Sequence, residues 1–203
     1  MKNKLKIKNI VLTALVILII ISCIMPIQSP AENVSNKYMC NYKLLTLKTK
    51  IETEDEFGKT TNIQGGNILF RKYEDPLIMR DADERLICFA NDDYDFITQN
   101  NHAIFKDSEL LYAMEGKFSF FGNHYTIYDA DGNTVAYADF NWLNTKGELY
   151  LDDETVVAQY NSNLFRKDYV VTIFENNTMD EDAIQMIFAS YVSDSIADSS
   201  NND

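Results

Sequence analysis

The sequence predicts a mainly β fold: a closed antiparallel β-barrel that encloses a C-terminal apolar helix. Three observations predict it. Strand-favouring residues are abundant, with 12 Tyr and 12 Phe in 203 residues beside many Val, Ile and Thr. A pattern of short acidic turn followed by apolar strand recurs as RDADERLICFA, FKDSELLYAM, YDADGNTVAYA and LDDETVVAQY. The last apolar segment, DEDAIQMIFASYV at residues 180–192, is apolar in nearly every direction around a helix. The length suits one domain with a proper core. At 46% hydrophobic and 24% charged residues, long disorder is excluded.

The first 31 residues form a separate object. MKNKLKIKN carries four lysines, an uninterrupted apolar run follows from Ile10 to Met25, and SPA (Ser29 to Ala31) supplies small residues. Basic, apolar and small in that order is a secretory signal. The apolar run is shorter than the roughly 20 residues of a membrane-spanning helix. Three fates stay open: cleavage after Ala31, which the SPA site favours; lipidation of Cys23 in the lipoprotein-like box IISC; or retention as a short anchor. All three put the rest of the chain outside the cytoplasm, secreted or held at the outer face of the cell membrane. A start at Met39 is an alternative that the Lys-then-Ile pattern upstream argues against. Residues 32–41 read as a linker, 42–199 as the barrel domain and 200–203 as a polar tail.

Four of the 18 basic residues and none of the 31 acids lie in residues 1–31, so the remainder carries a net charge near −17. Such a surface disfavours nucleic acid and anionic lipid as partners, because both require a positive field. Membrane contact is therefore expected only through the N-terminal segment. Cys40 and Cys88 could pair in an oxidising compartment, or stay as buried thiols.

Aligned on Cys88, Tyr112, Ala136 and Ala158, the four repeats recur at intervals of 24, 24 and 22 residues. Six positions after each comes another large apolar residue: Tyr94, Phe118, Trp142 and Leu164. LFRK occurs at Leu69 to Lys72 and again at Leu164 to Lys167. Each unit reads as a β-hairpin, and HYTIYDADGNTVAYA folds at Asp131-Gly132, a type I′ signal. Periods of this length mark repeat architectures. With no helix between hairpins the strands continue as one meander, which must curl and close to hide its edges.

The terminal helix is predicted near Asp180 to Ala197. Thr178 and Glu181 have capping-box spacing, and Asp180 and Asp182 fall in the first turn, where the helix dipole favours acids. From Ala183 to Val192 only Gln185 and Ser190 interrupt the apolar surface. A helix apolar all round is a buried one, and this one is too short to cross a bilayer. Its remaining home is the inside of the barrel.

The meander carrying EGKFSFFGNHYTIYDADGNTVAYADF, the final strand DYVVTIFE and the terminal apolar helix together resemble the LURP-one-related family. The resemblance covers roughly Tyr42 to Ser199 and lies in organisation more than in motif. It implies the tubby C-terminal-like fold, a barrel of about twelve antiparallel strands around a C-terminal helix, shared with phospholipid scramblases. It also implies a binding or adaptor module with no catalytic residues to carry over. The chain departs from that pattern in its leader. It also lacks the basic pocket with which tubby proteins hold phosphoinositides. Arg71-Lys72 and Arg166-Lys167 are its only adjacent basic pairs in this region, and neighbours on a strand point to opposite faces.

Chemistry-bearing motifs are few. His102 and His124 lack HxxxH or CxxC company, so neither reads as a zinc ligand or a catalytic base. Asp129 to Asn133 has its Gly at position four, where an EF-hand loop needs it at six, so it reads as a turn. Asp92, Asp93 and Asp95, and Asp180 with Asp182, are weak calcium candidates outside the cell, against the ordinary readings of solvated loop and helix cap. Gly65-Gly66 lacks the strand-to-helix context of a phosphate loop. No cofactor and no enzymatic activity are expected. The expected function is a non-enzymatic extracytoplasmic binding or adaptor module for an unknown protein or envelope component. The alternative is a lipid-handling protein at the membrane surface, scramblase-like or lipid-binding.

Overall fold

The computed structural model describes residues 34–43, 48–67, 76–93, 101–119, 122–141, 143–163 and 166–200, all within the compact unit Asn33–Asp203. Side chains at 48, 66–67, 92–93, 118–119, 163, 166–167 and 196–200 are outside that description. The predicted leader, with Cys23, lies outside the described residues, as do Asp95, Tyr94, Trp142, Leu164 and the first LFRK.

Twelve antiparallel strands form one closed barrel in sequence order. They are β1 (Val34–Tyr42), β2 (Lys48–Asp55), β3 (Thr60–Asn67), β4 (Leu77–Asp81), β5 (Leu86–Asp93), β6 (Asn101–Lys106), β7 (Glu109–Ser119), β8 (Gly122–Asp129), β9 (Thr134–Asn141), β10 (Lys146–Tyr150), β11 (Val156–Asn163) and β12 (Arg166–Phe174). Helix α1 (Glu181–Ser200) follows. β1 closes the ring by pairing with β2 on one side and β12 on the other. The segment read as a linker, 32–41, is thus mostly a strand. Its inward residues near the start are Val34, Asn36 and Tyr38 rather than an apolar series, so the alternation that marks a strand was faint.

The repeat has a physical basis in the turns. At Asp55–Lys59, Asp81–Arg85, Asp129–Asn133 and Leu151–Thr155, the first N–H donates to the fifth C=O and the fourth N–H to the first C=O, at 2.9–3.1 Å. The fourth residue has positive φ each time: Gly58 80°, Glu84 61°, Gly132 83°, Glu154 64°. In the first three turns the leading Asp also accepts two backbone N–H groups on Oδ1, at 2.8–3.0 Å. The acids of the repeat therefore shape the turns. The type I′ turn expected at Asp131-Gly132 is instead a type I turn with Gly132 left-handed after it, because Asp131 keeps ordinary φ. The two-residue turn with both φ positive is Asp107-Ser108.

Inward positions alternate along the strands, as in Ala136, Ala138 and Phe140 on β9 or Tyr169, Val171 and Ile173 on β12. All of Ala183 to Asp194 is buried, on every side of α1. Twelve strands about 4.8 Å apart enclose a helix about 10 Å wide with a layer of side chains around it. The interior is packed by rings: Tyr191 of α1 stacks on Phe140 with centroids 3.4 Å apart, and Phe188 meets both Phe140 and Tyr160 at 5.9 Å. Phe140 lies over Gly147, where an added Cβ would meet its ring at 2.4 Å. The apolar residues face in, and charges such as Glu115, Lys117, Asp139 and Glu148 face out, the reverse of a membrane barrel. Among the described residues no helix is long and apolar enough to cross a membrane.

Candidate functional site

The predicted acid clusters lie apart. Asp180 and Asp182 stand at the end where α1 enters. Asp92 and Asp93 lie at the other end of β5, opposite His102 and Asn101. Cys88 approaches the Asp182 carbonyl and His102 pairs with Asp194, so the clusters are separated by about 18 Å, twelve residues of helix. Asp180 is the helix N-cap, its Oδ1 accepting from Ala183 N–H at 3.0 Å. That corrects the capping role expected of Thr178: several cap-competent residues stood in a row, and packing chose among them. Lys106 Nζ donates to Asp180 Oδ2 at 2.6 Å and Asp182 Oδ2 at 3.0 Å. Partial burial disfavours its charge, the two carboxylates outweigh that, and its pKa rises. Lysine thus occupies the place a cation would take. Between them, Glu181 accepts from Tyr38 Oη at 2.8 Å and Asn36 Nδ2 at 3.2 Å, tying β1 to the helix. Burial, then this bond, pushes the Tyr38 phenol up.

Both histidines have carboxylate partners that the sequence did not reveal. His102 Nε2 and Asp194 Oδ2 lie 2.7 Å apart inside the barrel, near a Thr49–Ser193 hydroxyl pair at 2.9 Å. His124 Nδ1 meets Asp139 Oδ1 at 2.6 Å on the outer face, across the β8–β9 pair, and Tyr150 donates to the other oxygen at 3.0 Å. The first partners are 92 residues apart. The second are cross-strand neighbours that correct register could have found. Cys40 and Cys88 are separate buried thiols. Burial pushes each up to about 12.

A groove of about 540 Å³ crosses β3, β2, β1, β12 and β11 on the outer wall. Met39, 56% exposed, and its cross-strand neighbour Val170 form an apolar floor. Glu54 and Asp168 flank it from β2 and β12, with Asn161 at the β11 side. Asp168 Oδ1 accepts from Asn41 at 2.7 Å. Glu52 is already neutralised by Lys43 at 2.6 Å and Lys50 at 3.3 Å, and these bonds lower its pKa. Among the described residues Glu54 has no basic partner, and the shielded Asn161 Oδ1 accepts no hydrogen bond.

The class so defined is a closed twelve-stranded antiparallel barrel built around its own C-terminal helix. One solved structure is similar to it in fold: the X-ray structure of the Arabidopsis thaliana protein AT5G01750, with a TM-score of 0.53 over 87% of this chain and 98% of that chain. Identity is 14%, so the likeness is one of fold. No protein-family model matches the chain, and no curated protein matches it in sequence.

Proposed function

We propose that the protein is a non-catalytic binding module of the tubby-like, LURP-one-related kind, which holds a protein or envelope component on its outer strand faces outside the cytoplasm. One observation carries this reading: the helix fills the barrel. A ligand-binding barrel keeps an apolar cavity of about 300 Å³ or more, and here Phe188, Tyr191 and the rings around them occupy that space. Recognition then belongs to the outer wall. The fold likeness to AT5G01750 supports the barrel architecture on which the family reading rests, and the basic-then-apolar segment ending at SPA supports export.

A net charge near −17 beyond residue 31 repels anionic membranes at physiological salt. The protein without residues 1–31 is therefore expected to stay in the supernatant with phosphatidylserine-containing liposomes, and to transfer no labelled lipid between vesicles. Cosedimentation without calcium, or lipid transfer, would overturn the reading in favour of lipid handling. Fractionation should recover the chain outside the cytosol, and intact mass separates cleavage after Ala31, lipidation at Cys23 and retention.

A further inference from the structure

We propose that the groove over Met39 and Val170 is a docking site for an extended basic peptide segment of a protein partner. The inference deepens the binding-module reading and rests on it. The charged atoms left uncommitted in this groove are acceptors, the Glu54 carboxylate and the Asp168 oxygen not used by Asn41, beside the neutral Thr60 and Asn161. One N–H of Asn41 Nδ2, a donor in the lining, is engaged by Asp168. The surroundings call for a ligand rich in N–H donors, positively charged, with apolar stems to lie on Met39 and Val170. Arginine and lysine side chains have that build, an aliphatic stem under a charged head.

Shape selects a peptide over a single amine. From Thr60 on β3 to Asn161 on β11 the groove crosses four interstrand spacings, about 19 Å, the length of about six residues of extended chain. Glu54 opposite Met39 and Asp168 opposite Asn41 flank β1 on either side, two spacings across and two residues along, roughly 12 Å apart, so two basic side chains of one segment can meet both. The barrel is closed and offers no free edge here, so the peptide cannot add as a further strand. It must be read through side chains, with the groove's acids setting its charge.

The experiment uses the full chain in a mild non-ionic detergent and a fluorescein-labelled hexapeptide alternating arginine and valine, followed by fluorescence anisotropy. A glutamate-for-arginine version serves as the control. The arginine peptide is expected to bind, with affinity falling as salt screens the pairs. Glu54→Gln and Asp168→Asn should each weaken binding about threefold, as for exposed ion pairs, and Met39→Lys should weaken it about tenfold or more by adding a like charge to the floor. Glu115→Gln, on β7 outside the groove, removes the same charge and should change nothing. No binding of the arginine peptide overturns the inference, and so does an equal loss in Glu115→Gln, which would mean attraction to net charge alone. Tighter binding of spermine than of the peptide, lost in Glu54→Gln, would also overturn it in favour of a small polyamine. None of these outcomes involves lipid, so the binding-module reading is judged separately by the liposome result.

Discussion

Lys106 decides how the acid cluster at the helix entrance behaves. Its ammonium bridges Asp180 and Asp182, so calcium would have to displace a cation already hydrogen-bonded there. Calcium at about 1 mM, the range of weak extracellular sites, should leave the thermal midpoint unchanged, while Lys106→Ala should make the midpoint rise with calcium. A calcium-dependent rise in the unaltered protein would refute this view of the cluster. Glu84 offers a second test. It takes the left-handed conformation filled by glycine in two sister turns. Relief of about 1–2 kcal/mol of strain exceeds the chain-entropy cost of glycine, so Glu84→Gly should stabilise by about 0.5–1 kcal/mol net. Urea denaturation measures this directly, and a lower midpoint would count against the turn geometry.

At the scale of elements, α1 serves as the core that the strands share. Ile187 is fully buried. Ile187→Asp places an unpaired charge there at a cost of several kcal/mol, comparable with the whole stability of a domain. The variant should lack a cooperative thermal transition, whereas Ile187→Val should cost only about 1 kcal/mol. A soluble Asp variant with native near-ultraviolet circular dichroism would show that the helix is not the core.

These elements also mark the limits of reading from sequence. The hairpin units, the closure and the buried helix were legible because they rest on local alternation, repeated turns and an all-round apolar surface. β1 was not, because its inward Asn36 and Tyr38 face the Glu181 carboxylate rather than apolar core. Asp131-Gly132 misled because both hairpin turn types accept Gly. The groove was invisible, since Met39, Glu54, Asp168 and Asn161 come from four strands and meet only through register.

For the whole molecule, burial of weak acids sets an alkaline limit. Burial pushes Cys40 and Cys88 from 9.0 up to about 12, and Tyr150 and Tyr160 from 10.0 up to about 12, with an aspartate bond aiding Tyr150. Tyr169 and Tyr191 rise as well. The unfolded chain ionises these groups near pH 9 to 10 while the folded barrel keeps them protonated. Their contribution is complete below about pH 9 and is lost as pH rises through about 12. The urea midpoint should therefore fall steadily between about pH 9 and 11. A constant or rising midpoint over that interval would contradict the burial of these groups. Both thiols should also ignore Ellman's reagent at pH 8 until the chain unfolds.

The position of α1 also governs when the fold can exist. Strand β1 precedes the other strands and must wait for β12 to close the ring, and the helix that fills it follows all twelve. Until α1 is made, every strand presents an inner face with nothing to cover it. A nascent chain is thus held open, slow to commit because its defining contacts span nearly its whole length. Closure of the fold therefore waits for Glu181–Ser200, and loss of those twenty residues would remove the core while leaving all twelve strands in the sequence.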